Sequence, residues 1–266
     1  MSRQRGLALV SVLWGVAILS LIAAAMLSAS VTSAHLDRNG WNAARAGSVA
    51  DEAVNHAILS LLDARASRQP RVDAAPVTLA IGGVPVRLWI QDESGKINLN
   101  FAPKELLQSL FASAGLESSV AGALADRIVA RRPATDGTGP RLAFRSVDEL
   151  LTVPGVSGAL YARIAPALTV YGKDSAINEQ VAPREALRAL PQMDDQAIDR
   201  LFKERDERHS AASGDQNSAT SVPLGIADAV FLVTAEARVD GAHVVRVAAV
   251  QFTGDAAKPY LVLAWR

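Results

Sequence analysis

From Leu7 to Val31 the chain passes through twenty-five positions without a charged side chain, LALVSVLWGVAILSLIAAAMLSASV. As a helix this run is ~38 Å long, enough to cross a ~30 Å hydrocarbon core. The apolar pattern then changes character rather than stopping. Val49, Ala53, Val54, Ala57, Ile58, Leu61 and Leu62 recur at spacings of three and four, one face of a helix. No proline falls between residues 7 and 69, and Gly40 interrupts the pattern only weakly. The pattern predicts one continuous helix of roughly 55–60 residues, apolar all round at first and amphipathic afterwards.

Beyond residue 70 the period shortens to two. Val77–Ile81 and Val84–Ile90 flank Gly82-Gly83, a two-residue hairpin signal. Pro85 places the second run at a sheet edge or at a strand start. Ala229–Arg238 and His243–Phe252 flank a turn containing Asp240-Gly241, and Pro259–Trp265 makes a last short strand. Between these strand groups the sequence is helical in character. It starts at Ala102-Pro103, where proline opens a helix. It ends in the polar stretch 210–221, SAASGDQNSATS, which reads as a linker.

The helical region repeats itself. Residues 97–110, INLNFAPKELLQSL, and 177–190, INEQVAPREALRAL, agree at seven of fourteen positions without a gap. The shared Asn reads as a bond to local backbone and the shared Ala-Pro as a helix start. Residues 144–157, FRSVDELLTVPGVS, have the shape of a helix-hairpin-helix. Ser146 and Glu149 form a candidate capping box, Pro154-Gly155 a stop, and Ser157 a second start. Residues 187–201 look like a related hairpin with Gln192 in place of the glycine.

Composition narrows the chemistry. The chain has 266 residues, 27 basic and 27 acidic side chains, and no cysteine. A zero net charge supplies no global pull toward nucleic acid or anionic lipid, and thiolate chemistry is excluded. His35, His56, His209 and His243 lack the spacing of metal ligands, and no nucleophile elbow or Walker loop is present. Asp92-Glu93 and Asp194-Asp195 read as solvated turn residues. The expectation is a protein that is not an enzyme.

Arg3 and Arg5 precede the long apolar run, and no Lys or Arg follows it until Arg38. That bias predicts a single-pass inner-membrane protein, its N-terminus cytoplasmic and its main domain periplasmic. A cleaved secretory signal and an ordinary anchor are the plainer alternatives. The run exceeds the 7–15 residues of a signal's apolar core, and its helix continues. Gly6 closes a short basic leader, and Leu7 opens the apolar run. This resembles the type IV pilin-like leader.

The order of segments carries a closer resemblance. Leader, long helix, strands, GKINLN (95–100), helical insert, VDELLTVPGVS (147–157), LTVYG (168–172), a second IN-x-x-x-AP and terminal strands follow one another. In this order the chain resembles the K class of minor pseudopilins of type II secretion. The resemblance implies an α+β, pilin-like fold: a long N-terminal helix on a small antiparallel sheet, with an inserted all-helical domain of sterile-alpha-motif or helix-hairpin-helix character. Its expected parts are a leader, 1–6; the helix, 7–69; a first β part, 76–101; the insert, 102–222; and a second β part, 223–266.

The same resemblance implies a role. Prepilin peptidase would cut between Gly6 and Leu7 and methylate Leu7. Ser11 stands where most pilin-like proteins carry a glutamate that pairs with the next subunit, as in the K class, which the family account places at the filament tip. Leu13, Trp14, Ile18 and Leu21 are candidate helix-packing contacts, with Ala23 to Ala25 allowing close approach. The implied partners are minor pseudopilins of the I and J classes, prepilin peptidase, the inner membrane, the secretion machinery and secreted cargo, with no nucleic acid. Calcium is associated with relatives, but the acidic residues lack the spacing for six to eight oxygen ligands, so no cofactor is expected.

The rival reading is a membrane-anchored DNA receptor of the competence type, whose helix-hairpin-helix resembles KINLNFAP and FRSVDELLTVPGVS. Seven basic against three acidic residues between Arg127 and Lys173 favour it. The turn Gly155-Val156-Ser157 disfavours it, because the second glycine that lets phosphate approach is missing.

Overall fold

The computed structural model describes residues 4–63, 70–132, 143–214 and 227–266; for 4–11, 27–35 and 212–214 the description is of helical backbone alone. Helix α1, Gln4–Leu62, is continuous over 59 residues, as the spacing predicts. Its second half buries Ala46, Val49, Ala50, Ala53, Val54, Ala57, Ile58 and Leu61. Four of these eight are alanine, so the helix lies close on the sheet. An ion pair from Arg246 Nε to Asp51 Oδ1, 2.8 Å, ties the two together.

Strands β1, Val77–Ile81, and β2, Val84–Asp92, form the first hairpin. Gly82 and Gly83 have φ of +54° and +77°, the left-handed pair that a tight hairpin needs. Pro85 pairs only with Ala80 of β1. The ladder to the next strand starts at Val86, so the missing proline N–H costs that ladder nothing.

The chain then enters the insert through a single 3-10 turn, Glu93–Gly95. The insert contains β3, Ile97–Asn98; α2, Lys104–Ser113; α3, Ser118–Arg131; a 3-10 helix, Val147–Thr152; α4, Gly158–Ile164; β4, Leu168–Thr169; α5, Arg184–Leu187; and α6, Asp195–Gly214. It has its own core, in which Leu99, Leu107, Phe111, Leu124, Ile128 and Phe144 are shielded from solvent. Strands β5, Val230–Val239; β6, Ala242–Phe252; and β7, Tyr260–Trp265 complete the molecule. The five-stranded sheet has the order β1-β2-β5-β6-β7, antiparallel throughout. Phe231, Val233, Ala235 and Ala237 of β5 and Val250 and Phe252 of β6 meet α1 in a second core.

The α+β, pilin-like arrangement with a helical insert is thus the one observed. Several expectations need correction. Among the described residues no helix is long and apolar enough to cross a membrane, which overturns the single-pass inner-membrane expectation and its periplasmic head. The polar stretch from 210 is helical up to Gly214, because α6 continues through it; the rest of that stretch lies outside the described residues. The two-residue parallel pair β3–β4 is invisible to periodicity, being shorter than one alternation.

Candidate functional site

Of the predicted site residues, Gly6, Leu7 and Ser11 lie on the helical backbone of α1, and their side chains fall outside the described residues. Leu13, Trp14, Ile18 and Leu21 are described and exposed, Leu21 at 73%. At 100° per residue Trp14, Ile18 and Leu21 share one stripe, flanked by Leu13. Val12, Val16, Leu19, Ile22 and Met26 are exposed around the rest of the helix. A helix that is apolar all round belongs inside something larger. No described element of this chain covers it.

The repeated units are built alike. In the first, Asn98 Oδ1 accepts from Asn100 N–H (2.9 Å); in the second, Asn178 Oδ1 accepts from Gln180 N–H (3.1 Å). Ala102 and Ala182 are fully buried, and Pro103 and Pro183 precede α2 and α5. Each unit is closed by an arginine from a later helical segment. Arg132 Nε and Nη1 donate to the carbonyls of Leu99 (3.1 Å) and Ala102 (2.8 Å). Arg205 donates to the carbonyls of Glu179 and Ala182, which stand at the same positions of the second unit. The two arginines are 73 residues apart and the units 80, so an ungapped sequence match cannot find them.

The first unit reaches further. Asn98 Nδ2 donates to Tyr171 O (2.8 Å), bringing 168–172 alongside β3. Asn100 exchanges two 2.9 Å bonds with the backbone of Phe144. The second unit seats on the turn that leaves the sheet. Gln91 Nε2 donates to Val181 O (2.9 Å), and Asn178 N–H donates to Ser94 O (2.8 Å). A Cβ on Gly95 would stand 2.7 Å from Val181 C and O and 2.8 Å from Ala182 Cα. Glycine is therefore required there by close approach of two backbones.

Of the acidic turn residues expected in solvent, Asp194 and Asp195 are exposed, whereas Asp92 and Glu93 are buried. Asp92 is 8% exposed and Glu93 4%. Burial pushes the Asp92 carboxyl above its ordinary value, against the hydrogen bond it accepts from Ser94 N–H (2.9 Å). Glu93 pairs with Lys96 at 2.7 Å. Asp194 caps α6, accepting from Ala197 N–H at 2.7 Å. Burial also pushes Asp73 up, but the Arg71 guanidinium outweighs it and holds that carboxyl below its ordinary value. Arg71 also reaches Asp206 of α6 at 2.6 Å, a second tie between insert and sheet. Among the described residues no group of three or more His, Asp or Glu side chains could hold a metal ion.

The helix-hairpin-helix shape is present in altered form. Its first helix is 3-10, and Ser146 makes no side-chain cap bond. The expected capping box is half formed: Glu149 Oε1 accepts from Arg145 N–H (3.2 Å), one residue too early to bond the cap's own N–H. Gly155 turns with φ of +100°, and Ser157 caps α4 by accepting from Leu160 N–H at 3.1 Å. Val156 N–H is spent on Val153 O (3.1 Å), and the Arg127 guanidinium lies across the turn, 2.7 Å from Pro154 O. Two amides at the turn and helix start are thus internally bonded rather than presented to a phosphate, and the DNA-receptor reading gains no support.

Comparison with known proteins falls on the same region. No curated protein matches the chain. The solved GspK-GspI-GspJ complex from the enterotoxigenic Escherichia coli type 2 secretion system contains a chain with a TM-score of 0.49 and 16% identity, over 89% of this chain and 98% of that one. Residues 97–170 match the family described as type II secretion system (T2SS), protein K. The matched segment begins at the first residue of β3 and ends one residue beyond β4. Over this segment, which carries the first repeat unit and the hairpin, the chain is similar to the protein K family of type II secretion.

Proposed function

We propose that this chain is a non-enzymatic structural subunit at the tip of the type II secretion pseudopilus and takes part in protein secretion across the outer membrane. The observation that carries the reading is the place of the family match. It falls on a closed helical unit inserted between β2 and β5 of a helix-on-sheet frame. A cap of this bulk suits a filament end better than a repeated position along the shaft.

In this reading prepilin peptidase removes residues 1–6 and methylates Leu7. Ser11, lacking a carboxylate, makes no demand for a subunit ahead of it. The exposed stripe of Trp14, Ile18 and Leu21, with Leu13 beside it, packs against the helices of I- and J-class minor pseudopilins. The insert faces the secretion machinery and its cargo.

The test is co-purification of the tagged full chain with co-expressed I- and J-class pseudopilins, together with secretion of a reporter. Trp14→Arg combined with Leu21→Arg should abolish co-purification and secretion while leaving the circular dichroism of the head unchanged. Undiminished capture of both partners would refute the helix-packing role. Gly6→Leu should leave the leader attached; mass spectrometry finding a protein that still starts at Leu7 would refute the processing site.

A further inference from the structure

The two edges of the sheet are unequal. β1 is five residues long, and the segment before it folds back over β2 through Asp73 and Ala74. β7, YLVLAW, has neither a charge nor a proline within it, and among the described residues it pairs only with β6. Leu261, Val262, Leu263 and Trp265 are each more than 40% exposed. Folded proteins usually blunt such an edge with charge, proline or cover, because its open backbone groups template another strand. Only a bulge at Ala249/Val250 disturbs this one.

Beside the edge lies a crevice of about 540 Å³ between the outer face of the sheet and the insert. Its floor is apolar, made by Leu232, Val247 and Leu263 from the sheet and Val170 from the insert. Its mouth is charged. Glu93 and Lys96 neutralise each other at 2.7 Å. Asp148 is engaged by the Tyr161 hydroxyl and lies 3.9 Å from Arg266. Arg145 lines the same mouth and has no ion-pair partner among the described residues.

We propose that β7 and this crevice form a docking site for an extended segment of a partner protein, with alternating apolar side chains and one carboxylate. The segment adds as a strand to the free edge of β7. Its inward side chains enter the crevice, and its carboxylate meets Arg145. Strand addition supplies main-chain hydrogen bonds, and the crevice and the arginine supply selectivity. A second copy of this chain, pairing β7 to β7, fits less well. The strand YLVLAW carries no carboxylate, so such pairing leaves Arg145 unmatched. The site lies on the head, apart from the α1 stripe, so it stands whether or not the pseudopilin reading does.

The test uses the full chain and a dye-labelled eight-residue peptide of alternating valine and threonine with one central aspartate, read by fluorescence anisotropy. The aspartate peptide should bind at least tenfold more tightly than its lysine counterpart. Arg145→Glu should reverse that preference. The same peptide N-methylated at alternate residues should lose binding, since it keeps the side chains but not the donors. Equal affinity for the two peptides, indifference to N-methylation, no binding at all, or self-association of the chain through β7 would each overturn the proposal.

Discussion

Replacing Gly95 with alanine tests the seam between insert and sheet. The added methyl would stand 2.7 Å from Val181 C and O and 2.8 Å from Ala182 Cα, all backbone atoms that no rotamer can move. The second repeat unit must retreat. In doing so it lengthens the bonds from Gln91 Nε2 to Val181 O and from Asn178 N–H to Ser94 O. Overpacking a tight site costs about 1–3 kcal/mol, and each hydrogen bond lost adds about 0.5–1.5 kcal/mol. The expected loss is therefore about 2–6 kcal/mol. Urea denaturation followed by far-ultraviolet circular dichroism would measure it as a lower midpoint at an unchanged slope. Hydrogen exchange should locate it, with the Asn178 amide losing protection before the amides of β5 do. Gly95 is not in the left-handed region, so the penalty is one of contact and not of backbone strain. A loss under about 0.5 kcal/mol would mean that the close approach does not hold the seam.

Two further variants probe buried polar groups. Asn100→Ala removes both bonds to the Phe144 backbone and leaves its N–H and carbonyl without partners; a loss of about 2–4 kcal/mol and faster exchange of the Phe144 amide should follow. Asp92 is pushed above its ordinary value of 3.8, so the folded state holds that proton more tightly than the unfolded chain, and stability drains away as pH rises from 3.8 through the raised value. Asp92→Asn keeps an oxygen for Ser94 N–H without the charge. Its denaturation midpoint should match the parent at acid pH and exceed it at pH 7; a midpoint below the parent at pH 7 would show that the charge is needed.

The parts legible in the sequence are those in which one residue type answers one local demand. Gly82-Gly83 and Asp240-Gly241 both adopt positive φ at the two central positions of a hairpin, which few other pairs do without strain. The three- and four-residue spacing of α1 reports a face that is buried in fact. The repeat was visible as text, and its Asn and Ala-Pro do what their chemistry suggests. What escaped were long-range partners. Nothing near Arg132 or Arg205 announces that each closes a unit behind it. Asp92 and Glu93 read as surface because their cover comes from the insert. On α1 the residues Trp14, Ile18 and Leu21 are exposed, and among the described residues no helix is long and apolar enough for the predicted membrane crossing.

Asp92 and Phe231 face each other across neighbouring antiparallel strands, so the chain from 93 to 229 leaves and rejoins the sheet next to a single residue pair. Strands there are ~5 Å apart, a gap the ladder itself holds shut. The insert can therefore grow, shrink or acquire new helices without re-registering β2 against β5, and the entropy of a longer excursion rises only logarithmically. The frame that packs on α1 and the cap carried above it are thus free to change at different rates.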